Sequence, residues 1–340
     1  MRGVTVWAAI VATIVMIGCA EVPQKSAPPM PEPPISQEGM VLARDDTFAV
    51  VVAGPGEDLG ILAQRYLGDR SKRWWISEFN NIAEVKTGQT VVIPLKSVNP
   101  SGVFANGYLT VPILCYHRFG PKPSQLAVTP AAFEAQMDYL ARNGYHVLPL
   151  SQVTAFIERG EPIPRKSVVI TIDDGYRSTY EVAYPILKKH GFPATVFLYS
   201  DFVGAPDALT WPQMKEMENS GLVNIQPHSK THSNLTAKLA GESEAKYRER
   251  VRTEVEVPIR LIQDKLAVPA LSYAFPYGDV NETVVALLKR QGVHLGVTVT
   301  PGGNGFFAYP FMLRRSMVFG GDSIDGFKSK LATFAPASPR

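Results

Sequence analysis

Hydrophobic and polar positions follow two different periods along this chain, and the switches between them mark its elements. Phe48-Ala49-Val50-Val51-Val52 and Thr90-Val91-Val92-Ile93-Pro94 are β-branched runs that predict strands. Between them, Leu59 to Tyr66 carries apolar residues at helical spacing, with Gly68 placed to end the helix. Trp74 to Phe79 predicts a second short helix, so residues 47–96 read as a βααβ unit. Beyond Tyr108 strands and helices alternate. Strands are expected at Leu109–Tyr116, His146–Pro149, Ser167–Ile172, Ala194–Tyr199, Ala270–Phe275 and Leu295–Thr300. Helices are expected after the Thr129-Pro130 cap, over Arg177–Lys189, after the Thr210 capping box, over Ser243–Leu266 and Glu282–Gln291, and from Asp322-Ser323. Regular alternation of this kind predicts an α/β fold: a mostly parallel sheet, closed into a barrel.

Composition changes the picture mainly at the N-terminus. The 340 residues are 45% hydrophobic and 19% charged, enough apolar material for a sizeable core. The net charge of +3 is too small to argue for nucleic acid, and no basic stripe is interleaved with aromatics. Val4 to Ile17 is an almost unbroken apolar run, shorter than the roughly 20 residues a membrane-spanning helix needs. It fits the core of an export signal, and Met16-Ile17-Gly18-Cys19 resembles a bacterial lipobox. Residues 1–19 are therefore read as a lipoprotein signal, with Cys19 lipidated and the chain exported and anchored in the cell envelope. From Pro23 to Pro34 half the residues are proline, which makes residues 20–46 a stiff spacer. Residues 97–107 read as a second linker and 108–335 as the large domain. With Cys19 modified, Cys115 has no partner for a disulfide and is expected to be a small buried hydrophobe.

Three segments of the large domain can carry chemistry. Asp173-Asp174-Gly175 follows a strand apolar enough to be buried, and in parallel α/β folds chemistry gathers at strand C-terminal ends. Two adjacent carboxylates there repel unless something positive lies close; alone, the motif reads first as a plain Asp-Gly turn. His228-Ser229-Lys230-Thr231-His232 spaces two histidines so that one side of a helical turn could carry both imidazoles. With a carboxylate they suit zinc and other first-row divalent ions. Phe275-Pro276-Tyr277-Gly278 ends a strand with a fixed, tight turn that can aim a backbone N–H at a reacting oxygen, or be an ordinary loop.

At these segments the chain resembles carbohydrate esterase family 4, the polysaccharide deacetylases, over nearly all of residues 108–334. The resemblance implies a distorted, incomplete parallel (β/α) barrel. It implies Asp174, His228 and His232 as metal ligands, Asp173 as general base and the Tyr277 N–H as oxyanion donor. It implies zinc first among the metals, and removal of N-acetyl groups from an N-acetylglucosamine polymer, poly-N-acetylglucosamine or peptidoglycan. The small unit resembles the lysin motif through Gly54–Asp58, Arg65–Asp69, Asn80 and Gly88–Pro94. That family grips N-acetylglucosamine chains; at least one of Trp74 and Trp75 is expected in its core.

Two departures bear on the mechanism. The Leu-x-His that supplies an acid in many relatives is missing, leaving His117, in Leu114-Cys115-Tyr116-His117, ahead of His294. The opening resembles the poly-N-acetylglucosamine deacetylase branch, in which an early histidine takes the acid role. The arginine that many relatives place near the Tyr277 motif is also missing, and Arg314 or Arg315 could supply the charge. Trp211 and Tyr176 are candidate sugar-facing residues; Leu295 is expected in the core. Two other functions compete: a non-catalytic sugar-binding envelope protein, which the complete Asp173, Asp174, His228, His232 set disfavours, and an iron oxygenase, in which Asp173 would have no task.

Overall fold

The computed structural model describes residues 39–337, so the segment expected to be an export signal, Cys19 and most of the proline-rich spacer lie outside the described residues. Among the described residues no helix is long and apolar enough to cross a membrane.

The large domain is organised around the strand Ser167–Asp174, in which every residue is buried. A strand apolar on both faces belongs in the middle of a sheet covered on both sides. It pairs in parallel with Val111–Tyr116 on one side and Ala194–Leu198 on the other, and Ala194–Leu198 pairs in parallel with Val223–Pro227. Ser316–Met317 also runs parallel to Val111–Tyr116, whereas Gly303–Asn304 joins it antiparallel, so the sheet is mixed. Ser272–Ala274 and Leu295–Val297 form a separate parallel pair. One core lies on one side of the main sheet, where Phe133, Met137, Leu140 and Leu187 pack on Ile170, Ile172 and Val196. Val111, Val153, Phe156, Phe197, Leu295 and Val297 fill a second on the other side. Leu295 is thus a core residue, and Trp211 packs half-buried against the first core.

Helix ends follow the local chemistry. Thr129, Ser243, Asn281 and Ser323 each accept a backbone N–H of the first turn, and Thr210 with Gln213 forms the expected capping box. The helix Leu150–Arg159 was not expected from the sequence. Its Leu150, Val153 and Phe156 face the second core, but it starts after Pro149 without a side-chain cap. The Arg177 region also differs: its first helical turns are a π-type segment, Thr179–Ala183, before the α-helix Tyr184–His190.

Residues 47–96 form the expected βααβ order: Phe48–Val52, Leu59–Leu67, Arg73–Asn80 and Thr90–Pro94. Both linker boundaries need correction. Met40–Arg44, placed in the proline-rich spacer, is a strand antiparallel to Phe48–Val52. The second linker holds Val103–Phe104, paired with Gly107–Leu109, which pairs in turn with Phe334–Pro336. Val103 and Val41 are exposed, so neither segment had the burial pattern that would have announced a strand. Trp74 and Trp75 stack at 5.8 Å and are both half-buried; Ile76 fills the unit's core instead. The two indoles line a cleft of about 250 Å³ with Glu78, Phe104 and Arg165, where the Arg165 N–H donates to Glu78 Oε1 at 2.7 Å.

Candidate active site

Asp173 and Asp174 are the last two residues of the central strand, in register with Phe197 and Leu198 of its neighbour. Successive strand residues point to opposite faces, so the two carboxylates cannot do the same job without a backbone change. The change is present: Asp174 has φ 73° and Gly175 φ 84°. A Cβ at Gly175 would lie 3.2 Å from Leu198 Cβ, so glycine is needed for both its conformation and its space. Left-handed backbone at an aspartate is strained and is typical of a functional position.

The two carboxylates have opposite electrostatics. Burial would push Asp173, 1% exposed, upward, but Arg315 overrides it. Both guanidinium Nη atoms donate to the Asp173 oxygens at 2.7 Å, and Nε donates to Thr298 O at 2.8 Å. Asp173 is held well below the usual carboxylate range by this pair, with His228 assisting. The Cys115 thiol donates to Asp173 Oδ2 at 3.5 Å, so Cys115 does more than fill space, the role the sequence suggested. Asp174 lacks such a partner, and burial raises it to about 6, with His117 opposing and Asp173 assisting.

The histidines arrive from the neighbouring strand. His228 follows Val223–Pro227, and its Nδ1 lies 2.7 Å from Ala274 O. That contact places a proton on Nδ1 and leaves the Nε2 lone pair facing the carboxylates. Burial lowers His228 to about 4, which keeps the ring neutral. The expected helical turn is absent: the segment is a loop, with Ser229 at φ 71° and His232 at φ 61°. Positive φ at both residues brings the rings together without a helix, at a centroid distance of 4.8 Å. His228 Nε2 and His232 Nε2 lie 3.8 and 3.5 Å from Asp174 Oδ1. These are the distances expected of groups converging on a common point rather than on one another. Donor atoms of Asp174, His228 and His232 all lie within 4.8 Å of each other, and two imidazoles with a carboxylate form a donor set that fits a first-row divalent cation.

His117 follows Val111–Tyr116 at the same end of the sheet, and it groups with Cys115 and Asp173 within 4.8 Å. Its Nδ1 is buried and lacks a hydrogen-bond partner among the described residues. His294 lies elsewhere: it precedes Leu295–Val297, at the strand's opposite end, and is 3.6 Å from Glu158. Arg315 supplies the positive charge, while Arg314 turns to Pro301 O at the surface. The doublet offered no way to choose between them, because it lies just ahead of the strand Ser316–Met317 and outside its alternation. Tyr277 has φ 62°, and its exposed ring meets His232 edge-on at 4.9 Å. Tyr176 lies under the Arg118 guanidinium at 4.5 Å. The residue sequence reasoning missed is Glu254, buried beneath the histidine loop.

Comparison with known proteins agrees with this geometry. Residues 160–296 match the family model described as polysaccharide deacetylase. YxkH of Bacillus subtilis (strain 168), named for that family, is 31% identical over 217 residues, 64% of this chain and 74% of the relative. The poly-β-1,6-N-acetyl-D-glucosamine N-deacetylase of Escherichia coli (strain K12) is 28% identical over 211 residues; the match takes in 52% of this chain and only 31% of that relative. The structure of the Streptococcus pyogenes deacetylase PplD in complex with acetate superposes with a TM-score of 0.59 at 27% identity, covering 66% of this chain and 98% of that one. With three quarters of YxkH matched, and with the family model spanning the carboxylate pair and both histidines, the chain belongs to the polysaccharide deacetylase family and is an amide-hydrolysing enzyme.

Proposed function

We propose that the chain removes N-acetyl groups from an N-acetylglucosamine polymer of the cell envelope, poly-N-acetylglucosamine or peptidoglycan, with a divalent metal, zinc first. One observation carries the reading: Asp173, Asp174, His117, His228 and His232 converge at one end of the sheet, with Arg315 neutralising the innermost carboxylate. The name of the Escherichia coli relative is the reason for putting the β-1,6-linked polymer first.

Asp174, His228 and His232 would hold the metal; two imidazoles and a carboxylate are a ligand set known from catalytic zinc sites. When bound, the cation supplies Lewis acidity toward the amide carbonyl and acidifies the attacking water. Asp173, kept ionised by Arg315, takes the proton that this water releases. The Tyr277 N–H is the candidate donor to the oxyanion. His117 then protonates the sugar nitrogen as the C–N bond breaks, so acetate and a free amine leave. Residues 47–96 read as a lysin-motif-like binding module, and Cys19 as the lipid anchor of an exported protein. The domain closed into an incomplete barrel belongs to the same reading.

Acetate release from β-1,6-linked N-acetylglucosamine oligomers and from peptidoglycan tests it. Acetate is expected from at least one polymer, is expected to stop on chelation and to return with zinc. No acetate from either, at any metal, would sink the reading. The acid is tested separately: His117→Ala is expected to lower kcat by about 10²–10⁴, the range of general acid catalysis. His294→Ala is expected to match the parent, and the reverse pattern would move the acid to His294.

A further inference from the structure

Glu254 lies on the helix Glu244–Leu266, remote from the reacting atoms, yet it is buried at 5% exposure. A buried carboxylate is costly unless each oxygen is bonded. Its partners all come from the loop between the two histidines. Glu254 Oε2 accepts the backbone N–H groups of Lys230 and Thr231 at 3.0 and 2.9 Å, and Oε1 accepts the Thr231 hydroxyl at 2.7 Å. The rest of the loop is tied at its edges. The His228 N–H donates to Leu198 O, the His232 N–H donates to Ser229 Oγ, and the Ser200 and Asp201 N–H groups donate to the carbonyls of Ser229 and Lys230.

Lys230 is also held on Asp201, through its carbonyl and through Nζ donating to Asp201 Oδ2 at 2.6 Å, whereas the bonds of Thr231, the residue before His232, go to Glu254. Ser229 and His232 both hold positive φ, a strained conformation for non-glycine residues that persists only where surroundings over-determine it. Three hydrogen bonds to the two intervening residues provide that restraint. Without them the loop can relax toward ordinary φ values, and the His232 ring leaves the point it shares with His228 and Asp174.

We infer that Glu254 is a positioning residue for the cation site: it fixes the distance between the two imidazoles from behind, without itself being a ligand. The inference builds on the proposed metal-dependent reading, and its consequence is a metal affinity that depends on a helix outside the ligand set. Supporting groups behind metal ligands typically change affinity by about 10–100-fold.

Zinc affinity, measured by competition with a chromogenic chelator on the purified chain, tests this without reference to turnover. Glu254→Ala is expected to bind zinc about 10–100-fold more weakly than the parent. Glu254→Gln is expected to stay close to the parent, because its oxygen still accepts two N–H groups and its amide can donate to the Thr231 hydroxyl. Thr231→Val, which removes one bond of the three, is expected to fall between. Parental affinity in Glu254→Ala would overturn the inference. So would a loss in Glu254→Gln as large as that in Glu254→Ala, since charge rather than bond geometry would then be responsible. If Glu254→Ala does not fold, parental affinity in Thr231→Val does the same. A parent chain that binds no zinc would instead refute the metal-dependent function itself, so the two failures are distinguishable.

Discussion

Replacing Arg315 with methionine is expected to destabilise the fold by about 3–5 kcal/mol and to remove nearly all turnover at neutral pH. Arg315 is fully buried and donates to both Asp173 oxygens, to Thr171 Oγ1 and to Thr298 O. Methionine fills the volume and packs on Phe197, whose ring now lies 5.6 Å from the guanidinium, but it leaves Asp173 with the Cys115 thiol as its remaining side-chain donor. The dominant loss is therefore the stranded carboxylate rather than the missing bonds. Linkage fixes how pH should act. In the parent, Asp173 sits far below its unfolded value, so the pair's stabilisation is present above about pH 4 and is lost only as pH falls toward the depressed folded value. In the variant, burial, the largest influence on Asp173, is opposed only by the nearby histidines and raises its carboxyl, so stability should fall as pH rises above about 4. Urea unfolding at pH 5 and pH 8 reads both slopes. The double variant Arg315→Met with Asp173→Asn should recover much of the stability and none of the activity. A single variant as stable at pH 8 as the parent would show that the pair is not what satisfies Asp173.

The same pair shows where sequence reasoning reaches its limit. The strand before Asp173 was readable because an all-apolar β-branched run has one physical use, and the Asp-Asp-Gly and His-x-x-x-His segments were readable because their residue types suit a cation. The convergence of His228 and His232 was expected for the wrong local reason. A spacing of four suggested a helical turn, whereas positive φ at Ser229 and His232 does the work in a loop. Partners distant in sequence were harder to see. Arg315 stands 142 positions from Asp173, and nothing in its neighbourhood distinguishes it from Arg314 except which one the folded chain turns inward. Glu254 lies on a long polar helix whose other carboxylates mostly face solvent, so its burial is a product of tertiary packing alone. The edge strand Met40–Arg44 and the strand Val103–Phe104 read as linkers in the sequence because every residue of the first, and Val103 of the second, is exposed. Periodicity reports burial, and such segments have little.

Separating the base from the ligands gives the second large effect. Asp173→Asn is expected to lower kcat by about 10²–10⁴ while zinc stoichiometry stays at one per chain. Asparagine keeps the shape and one acceptor oxygen for Arg315, but it cannot take a proton from water. Asp173 does lie 3.8 Å from His228 Nε2, so its charge contributes to the field at the cation, and affinity should weaken modestly rather than collapse. His228→Ala should behave in the opposite order. It removes the donor whose tautomer is fixed by Ala274 O, leaving Asp174 and His232 with too few ligands, and metal content should fall before any question of chemistry arises. Measuring bound zinc after gel filtration and acetate release at saturating zinc, on both variants, places each residue. Full metal content with lost turnover marks a proton acceptor; lost metal marks a ligand. If Asp173→Asn lost its zinc as completely as His228→Ala, the two adjacent carboxylates would both be ligands, and the base would have to be sought elsewhere in the cluster, first at His117, which groups with Asp173 within 4.8 Å.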